Sequence, residues 1–302
     1  AAEAGVTSTT VSRVLNNRGY ISEETREKVY SAMEKLNYMP NEMARNLSRQ
    51  KSDYIGVILP SVEHPYFSKV LHWLEHYVTK HNYKIMVCIS ENSREKELQY
   101  IDLLYSHRVL GIVVCSHIRE IAENIPAVLC DNYQGGILAA NRLFDAGCRN
   151  IAIFNPPTKE NIPAYSREKA FMKCCEDKKI SGRVVYTDRL APLSEEFGNN
   201  ILELLKKNSD LDGIFATSDV MAANIIRACK KMGKRVPEDI SIVGFDDTWI
   251  STLTYPSITT IHQPVQEMCE YAIEAIVKKV KSEKVPSQVV FPVELIDRES
   301  TK

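Results

Sequence analysis

The sequence predicts an α/β protein, with a doubly wound core over residues 52–302 preceded by a small three-helix unit over residues 1–51. Three observations carry this. From Tyr54 onward, strand-sized apolar runs alternate with amphipathic helical patterns. The runs are nearly continuous rather than alternating, as in parallel strands covered on both faces. Residues 1–51 contain no such run, only short helical patterns arranged with helix-turn-helix spacing.

Composition bounds the rest. A chain of 302 residues that is 44% hydrophobic, 25% charged and 8% aromatic has material for more than one core, which excludes a disordered or collagen-like chain. Lys plus Arg number 38 against 39 for Asp plus Glu, a net charge of −1, so any nucleic-acid site has to be local. The segment 1–51 is itself +2, which leaves −3 on the remainder. No apolar run approaches the roughly 18 residues that span a bilayer. Ala1 to Val6 lack a basic stretch followed by an apolar one, so a cytoplasmic location is expected. Cysteines 88, 115, 130, 148, 174, 175, 229 and 269 show no C-x-x-C pair, the pattern of reduced structural thiols.

In the first unit, Ala1 to Ala4 read as the tail of a helix, Gly5 as a tight turn, and Thr7 as the N-cap of a helix running to Asn16. Val11, Val14 and Leu15 recur at helical spacing and face inwards. Ser8, Thr9, Ser12, Arg13 and Asn16 are left on the other side. Such donors and acceptors reach base edges and phosphates when a recognition helix enters a major groove; a solvated polar face is the other use. A third helix starts at the N-cap Ser22, carries Glu23 and Glu24 in its first turn, and turns Val29, Met33 and Leu36 inwards.

The string from Ala4 to Asn16 (AGVTSTTVSRVLN), with Thr25-Arg26-Glu27-Lys28-Val29 and Leu36-Asn37-Tyr38-Met39-Pro40-Asn41, closely resembles the headpiece of the LacI family of bacterial transcription regulators. By that resemblance Ser8, Thr9 and Arg13 match base-reading positions, while Thr7, Ser12, Asn16 and Thr25 match positions near the phosphates. The family's first helix begins before Ala1. The resemblance makes residues 40–51 a hinge, with Glu42 to Ser48 helical only on operator DNA. There it pairs with its dimer mate in the minor groove, where Leu47 matches the wedging leucine.

In the core, strands are predicted at Ile55 to Leu59, Lys84 to Ile89, Gly111 to Cys115, Ala127 to Cys130, Ile151 to Asn155, Arg183 to Tyr186, Gly213 to Thr217 and Ile240 to Phe245. Phe67, Val70, Leu71, Leu74, Tyr77 and Val78 mark one amphipathic helix. Ligands of doubly wound sheets bind beyond the carboxyl ends of the strands. Tyr66 and Phe67 follow the first strand and present faces suited to a sugar ring, or to the core. Arg167 opens a helix with a rigid fork of donors, and Asp246 lies at a strand end where a carboxylate accepts from paired hydroxyls. Asp219, after Ser218, is placed to bind ligand or to cap its helix, with capping the favoured use.

The LacI resemblance extends through Asp131-Asn132-Tyr133-Gln134-Gly135-Gly136 and Thr259-Thr260-Ile261-His262-Gln263-Pro264. It implies two periplasmic-binding-protein-like lobes, one about 52–131 and 264–291, the other about 132–263 and 292–302. Tyr66, Phe67, Arg167, Ser218, Asp219 and Asp246 would then bind a small-molecule effector, a sugar or sugar derivative. Between Cys115 and Ala127 eleven residues stand where the family has an extra helix and strand, which leaves open any contact from Arg119.

His72-Trp73-Leu74-Glu75-His76 fits an inverted zinc-protease pattern, but Leu74 belongs to the apolar stripe and no third ligand can be nominated. Absence of G-x-S-x-G, Walker and G-x-G-x-x-G patterns argues against an enzyme, and no cofactor or metal is expected. Two readings remain: a ligand-responsive regulator, and a carrier of the same two-lobed fold without DNA. Residues 1–49 favour the regulator, a repressor. The partners expected are a palindromic operator, a second copy of the chain as homodimer, the effector and, as in some relatives, a phosphoprotein corepressor.

Overall fold

The computed structural model describes residues 1–15, 17–39, 52–115, 126–157, 163–188 and 194–302, which form two compact units, Ala1–Ser52 and Asp53–Lys302. Asn16, Leu47 and Arg119 lie outside the described residues, as does the hinge reading of residues 40–51.

In the first unit the Thr7 hydroxyl accepts from Thr10 N at 3.2 Å and caps helix α1 (Ser8–Leu15). Ser22 caps α2 (Glu23–Lys35), whose first turn carries Glu23 and Glu24 against the positive end of the helix dipole. Ala4, Val14, Val29 and Ala32 are buried together, with Val6, Val11, Ile21 and Met33 packed around them. Ala1 to Ala4 close as the end of a helix does, with Gly5 N bonded to Ala2 O and Val6 N to Ala1 O, and Gly5 takes φ +64°, where a Cβ would strain. One expectation is corrected. Leu36 does not join the core: it is the C-cap of α2 and 59% exposed, because its residue sits where the helix unwinds.

The second unit contains three sheets among the described residues. Strands β1 (Tyr54–Leu59), β2 (Lys84–Ile89) and β3 (Gly111–Val114) form a parallel sheet ordered β2-β1-β3. Helices α3 (Pro65–Lys80) and α4 (Arg94–Ser106) connect them. Strand β4 (Ala127–Cys130) leads into α5 (Asn132–Asp145), after which β5 (Asn150–Asn155), α6 (Pro163–Lys178), β6 (Ser181–Tyr186), α7 (Glu195–Lys207), β7 (Gly213–Ala216), α8 (Asp219–Lys231), β8 (Ser241–Asp246), α9 (Ile250–Leu253) and β9 (Thr259–His262) follow. The chain then returns through α10 (Val265–Val280), which packs on α3, to β10 (Gln288–Phe291), parallel to β4, and ends with β11 (Glu294–Ile296). The larger sheet is ordered β11-β9-β8-β7-β5-β6. The chain therefore passes from one sheet to another four times, after β3, after β4, after β9 and after β10.

Among the described residues all pairings are parallel except β11 on β9. Strands β9 to β11 escape an apolar pattern for physical reasons. The buried Thr259 and Thr260 of β9 are satisfied by hydrogen bonds, Thr259 Oγ1 with Thr301 Oγ1 at 2.8 Å and Thr260 Oγ1 donating to Asp219 Oδ1 at 2.5 Å. Strands β10 and β11 are short; β10 alternates with exposed residues and β11 begins on one. The large sheet is flanked by two apolar clusters, one around Phe154, Phe197, Ile214 and Ile242, the other around Phe171, Phe215, Phe245 and Ile261. The small sheet buries Ile55, Val57 and Leu59 against Leu74, Val78 and Ile273. The eight cysteines are free thiols, six of them buried.

Helix α5 lies close on α6 and β8 because Gly135 and Gly136 bring no side chain there. A Cβ at Gly136 would collide with the Arg167 carbonyl oxygen and stand 2.9 Å from Ala170 Cβ; one at Gly135 would stand 2.7 Å from the Phe245 ring. Gly136→Ala is therefore expected to destabilise the protein by about 1–3 kcal/mol through overpacking. Urea unfolding measures this; unchanged stability would show that the helices have room to separate.

Candidate functional site

The polar residues of the core gather where strands end, as the doubly wound architecture dictates. Strand β8 closes on Asp246, with Asp246 at φ +103° and Asp247 at φ +47°, a conformation that disfavours side chains bearing a Cβ and aims both carboxyls off the strand. Asp246 is 5% exposed. Its Oδ1 accepts from Nε2 of Gln263, just past β9, at 2.6 Å. The Gln263 Oε1 in turn accepts from the Cys130 thiol at the end of β4, at 2.9 Å.

Arg167, on the second turn of α6, faces the same group. Its Nε donates to Oδ1 of Asn132, the first residue of α5, at 2.8 Å, and Nη1 donates to the Thr217 carbonyl at 2.9 Å. The guanidinium lies 3.5 Å from the centre of the Phe245 ring, a cation–π contact that holds it flat. From the opposite sheet, α3 contributes Tyr66 and, one turn later, Lys69, whose Nζ donates to the Asp247 carbonyl at 3.2 Å. Pro65 opens α3 and the His64 side chain caps it, accepting from Tyr66 N at 3.3 Å.

Burial pushes the Asp246 carboxyl up to about 8; the nearby Arg167 and Lys69 charges pull the other way and Asp219 reinforces the rise. Burial likewise lifts the Tyr66 hydroxyl well above its ordinary range, helped by Cys130, Cys115 and Asp246. Asp219 is raised to about 6 by burial, against hydrogen bonds from Thr260 and Thr248. Burial opposes ionisation of Asp247 as well, but His262 Nδ1 at 2.8 Å and Arg298 Nη2 at 2.7 Å hold its carboxyl below the usual carboxylate range.

The structure thus brings Tyr66, Arg167 and Asp246 together. The Phe67 ring stands edge-on to Tyr66 at 5.2 Å and packs partly into the apolar cluster of the small sheet. Ser218 is the N-cap of α8, accepting from Met221 N at 3.2 Å, so capping belongs to Ser218 and not to Asp219. Asp219 occupies the first helical position, fully buried, with its carboxylate taken by Thr248 N (2.6 Å), Thr248 Oγ1 (3.0 Å) and Thr260 Oγ1. It braces α8 against β9. Sequence reasoning missed Asn132, Gln263 and Lys69. The first two stand in the family-like runs quoted above, and Lys69 follows Tyr66 by three residues on the same helical face. Among the described residues no three His, Cys, Asp or Glu side chains are grouped to hold a metal, and no helix is long and apolar enough to cross a membrane.

In the N-terminal unit, Thr7, Ser8, Thr9, Ser12 and Arg13 are exposed along the start and outer face of α1, while Val14 beneath them is 1% exposed. Thr25 is half-buried and shares a 2.8 Å hydrogen bond with Ser22.

A helix-turn-helix unit on a chain whose α/β core collects donors and acceptors at its strand ends defines the class: a DNA-binding regulator with a ligand-binding core. Residues 1–41 match the bacterial regulatory proteins of the lacI family, and residues 140–301 match the periplasmic binding protein-like domain. The chain is 32% identical to the sucrose operon repressor of Streptococcus mutans, over 98% of this chain and 96% of that protein. It is also 32% identical to the ribose operon repressor of Halalkalibacterium halodurans, over 100% and 96% respectively. Among solved structures, the Lac repressor dimer bound to operator and the anti-inducer ONPF is similar with a TM-score of 0.85 and 25% identity, over 100% of this chain and 97% of that one. The chain belongs to the lacI family of bacterial transcription regulators. The resemblance read in its headpiece and core holds across its length.

The Asp246 carboxyl gives a pH test. Because its folded-state value is raised from 3.8 to about 8, the folded protein holds this proton more tightly than the unfolded chain, and stability is lost as pH rises through that window. Asp246→Asn removes the loss, so its melting temperature relative to wild type should climb between pH 5 and pH 9. Asp219 has the same sign but is present in both proteins. A difference independent of pH would refute the buried, protonated carboxyl.

Proposed function

We propose that this chain is a repressor, binding rather than catalytic in role, whose affinity for a palindromic operator is set by a sugar or sugar derivative held between two lobes. The lobes are residues 52–131 with 264–291, and 132–263 with 292–302; residues 1–51 are the headpiece with its hinge. The observation that carries the reading is the exposed row Thr7, Ser8, Thr9, Ser12 and Arg13 on a helix fixed by the buried Val14. A short helix with donors at its amino end fits a major groove, with Arg13 the strongest candidate for a bidentate base contact. Asn16 and Thr25 are assigned to the phosphates and Leu47 to the central base step.

Effector is assigned to Tyr66, Arg167, Ser218 and Asp246, with Asn132 and Gln263 added and Phe67 backing the Tyr66 ring. Asp219 contributes by holding the loop after β8 in place. Ligand that binds one arrangement of the lobes better than the other shifts the population of that arrangement, and with it the spacing of two headpieces. Two headpieces require two chains. Trp249 at 62% exposure, Leu253 at 74% and Tyr255 at 92% form an apolar surface around α9, and we assign it to a second copy. The dimeric state of the similar operator-bound Lac repressor supports this. The cell compartment is then the cytoplasm, where the operator is.

The test begins by selecting duplexes from a random pool with the full chain. An inverted repeat should emerge, and Arg13→Ala should weaken binding to it by about 1–3 kcal/mol in fluorescence anisotropy. No enrichment over random duplex would sink the reading. Tyr255→Lys should convert dimer to monomer in light scattering; an unchanged mass would move the interface elsewhere.

A further inference from the structure

The cleft residues carry an unbalanced charge. Arg167 spends its hydrogen bonds on neutral groups, the Asn132 amide oxygen and the Thr217 carbonyl, and on the Phe245 ring. Lys69 donates to a main-chain carbonyl, that of Asp247, which leaves its remaining ammonium donors for another partner. Among the described residues neither cation has a carboxylate within ion-pair distance, and the side chain of Asp247, whose carbonyl Lys69 holds, is occupied by His262 and Arg298. Both cations act on one spot, since Asp246 feels the attraction of each. We infer that the effector is an anionic sugar derivative, a sugar phosphate or a sugar acid, and that Lys69 and Arg167 select it by its charge. This rests on the effector site proposed above and narrows its ligand.

Three physical points support the assignment. A half-buried ammonium and guanidinium that lack counter-ions cost solvation energy, and an anion shared between them returns it. Asp246 is a poor source of that anion, because burial pushes its carboxyl up to about 8, and the protonated form presents a hydroxyl donor and an acceptor to ligand rather than a charge. Lys69 also stands on the helix that carries Tyr66, so a ring packed on the aromatic face would bring a substituent at its edge towards the ammonium. A neutral sugar satisfies the hydroxyl-binding groups but leaves both cations unpaired.

The experiment compares neutral and anionic twins by calorimetry on the full chain at pH 7: ribose with ribose 5-phosphate, fructose with fructose 6-phosphate, sucrose with sucrose 6-phosphate, and glucose with glucose 6-phosphate and glucuronate. At least one anionic member should bind tenfold or more tightly than its neutral twin. Lys69→Gln should reduce that ratio at least fivefold, and Lys69→Arg should restore most of it, a pattern that loss of a purely structural contact would not produce. Melting curves establish that both variants fold. A neutral twin that binds as tightly as its anion, or an undiminished ratio in Lys69→Gln, overturns the charge assignment while leaving the effector site standing. Binding of no member of the panel overturns both.

Discussion

The core depends on the placement of one guanidinium. Arg167 is pinned by an amide from α5, a carbonyl after β7 and a ring of β8, so three elements must be in register before its charge points anywhere. That register rests on a steric condition, the Gly135-Gly136 pair, which lets α5 approach α6 closely enough for Asn132 to reach the guanidinium. Packing here precedes chemistry: the site exists because α5 brings no side chain where it meets α6 and β8.

Around Arg167 the carboxyls divide by depth and by partner. Asp247, the least buried, accepts from His262 and the Arg298 guanidinium and stays ionised; Asp246 is driven towards its protonated form by burial; Asp219 is lifted less, against hydrogen bonds from Thr260 and Thr248. Within twenty-nine positions of chain the same functional group therefore serves as an ion-pair anchor, a neutral hydrogen-bonding group and a structural brace. The division follows from where β8 ends, since its positive-φ turn sends neighbouring residues to opposite surroundings.

Much of this was legible in the sequence. The apolar runs of β1, β5 and β7 mark strands covered on both faces, those of β2 and β4 mark less buried strands, and the stripe from Phe67 to Val78 marks α3, because burial leaves a trace in the pattern. Strand β9 leaves none: its buried threonines are polar, and their hydrogen-bond partners are about forty residues away at Arg298 to Thr301 and at Asp219. Arg167 and Asp246 were legible as residue types after loops and at strand ends, and Tyr66 as an aromatic at a junction. Asn132, Gln263 and Lys69 were not, since each gains its role from a partner across the fold, Lys69 from a carbonyl 178 residues along the chain. The exchange of roles between Ser218 and Asp219 was hidden for the same reason: both are good capping residues, and only Thr248 and Thr260 decide between them.

The tight crossing at Gly136 also has an evolutionary consequence. Because Arg167 is locked by helix spacing, drift at its side of the cleft is penalised through folding, whatever the ligand. Lys69 is half-buried on a helical turn and is held by a single hydrogen bond to a main-chain oxygen. New ligand preferences in descendants of this chain would therefore arise on the α3 face first, with the opposite wall inherited unchanged.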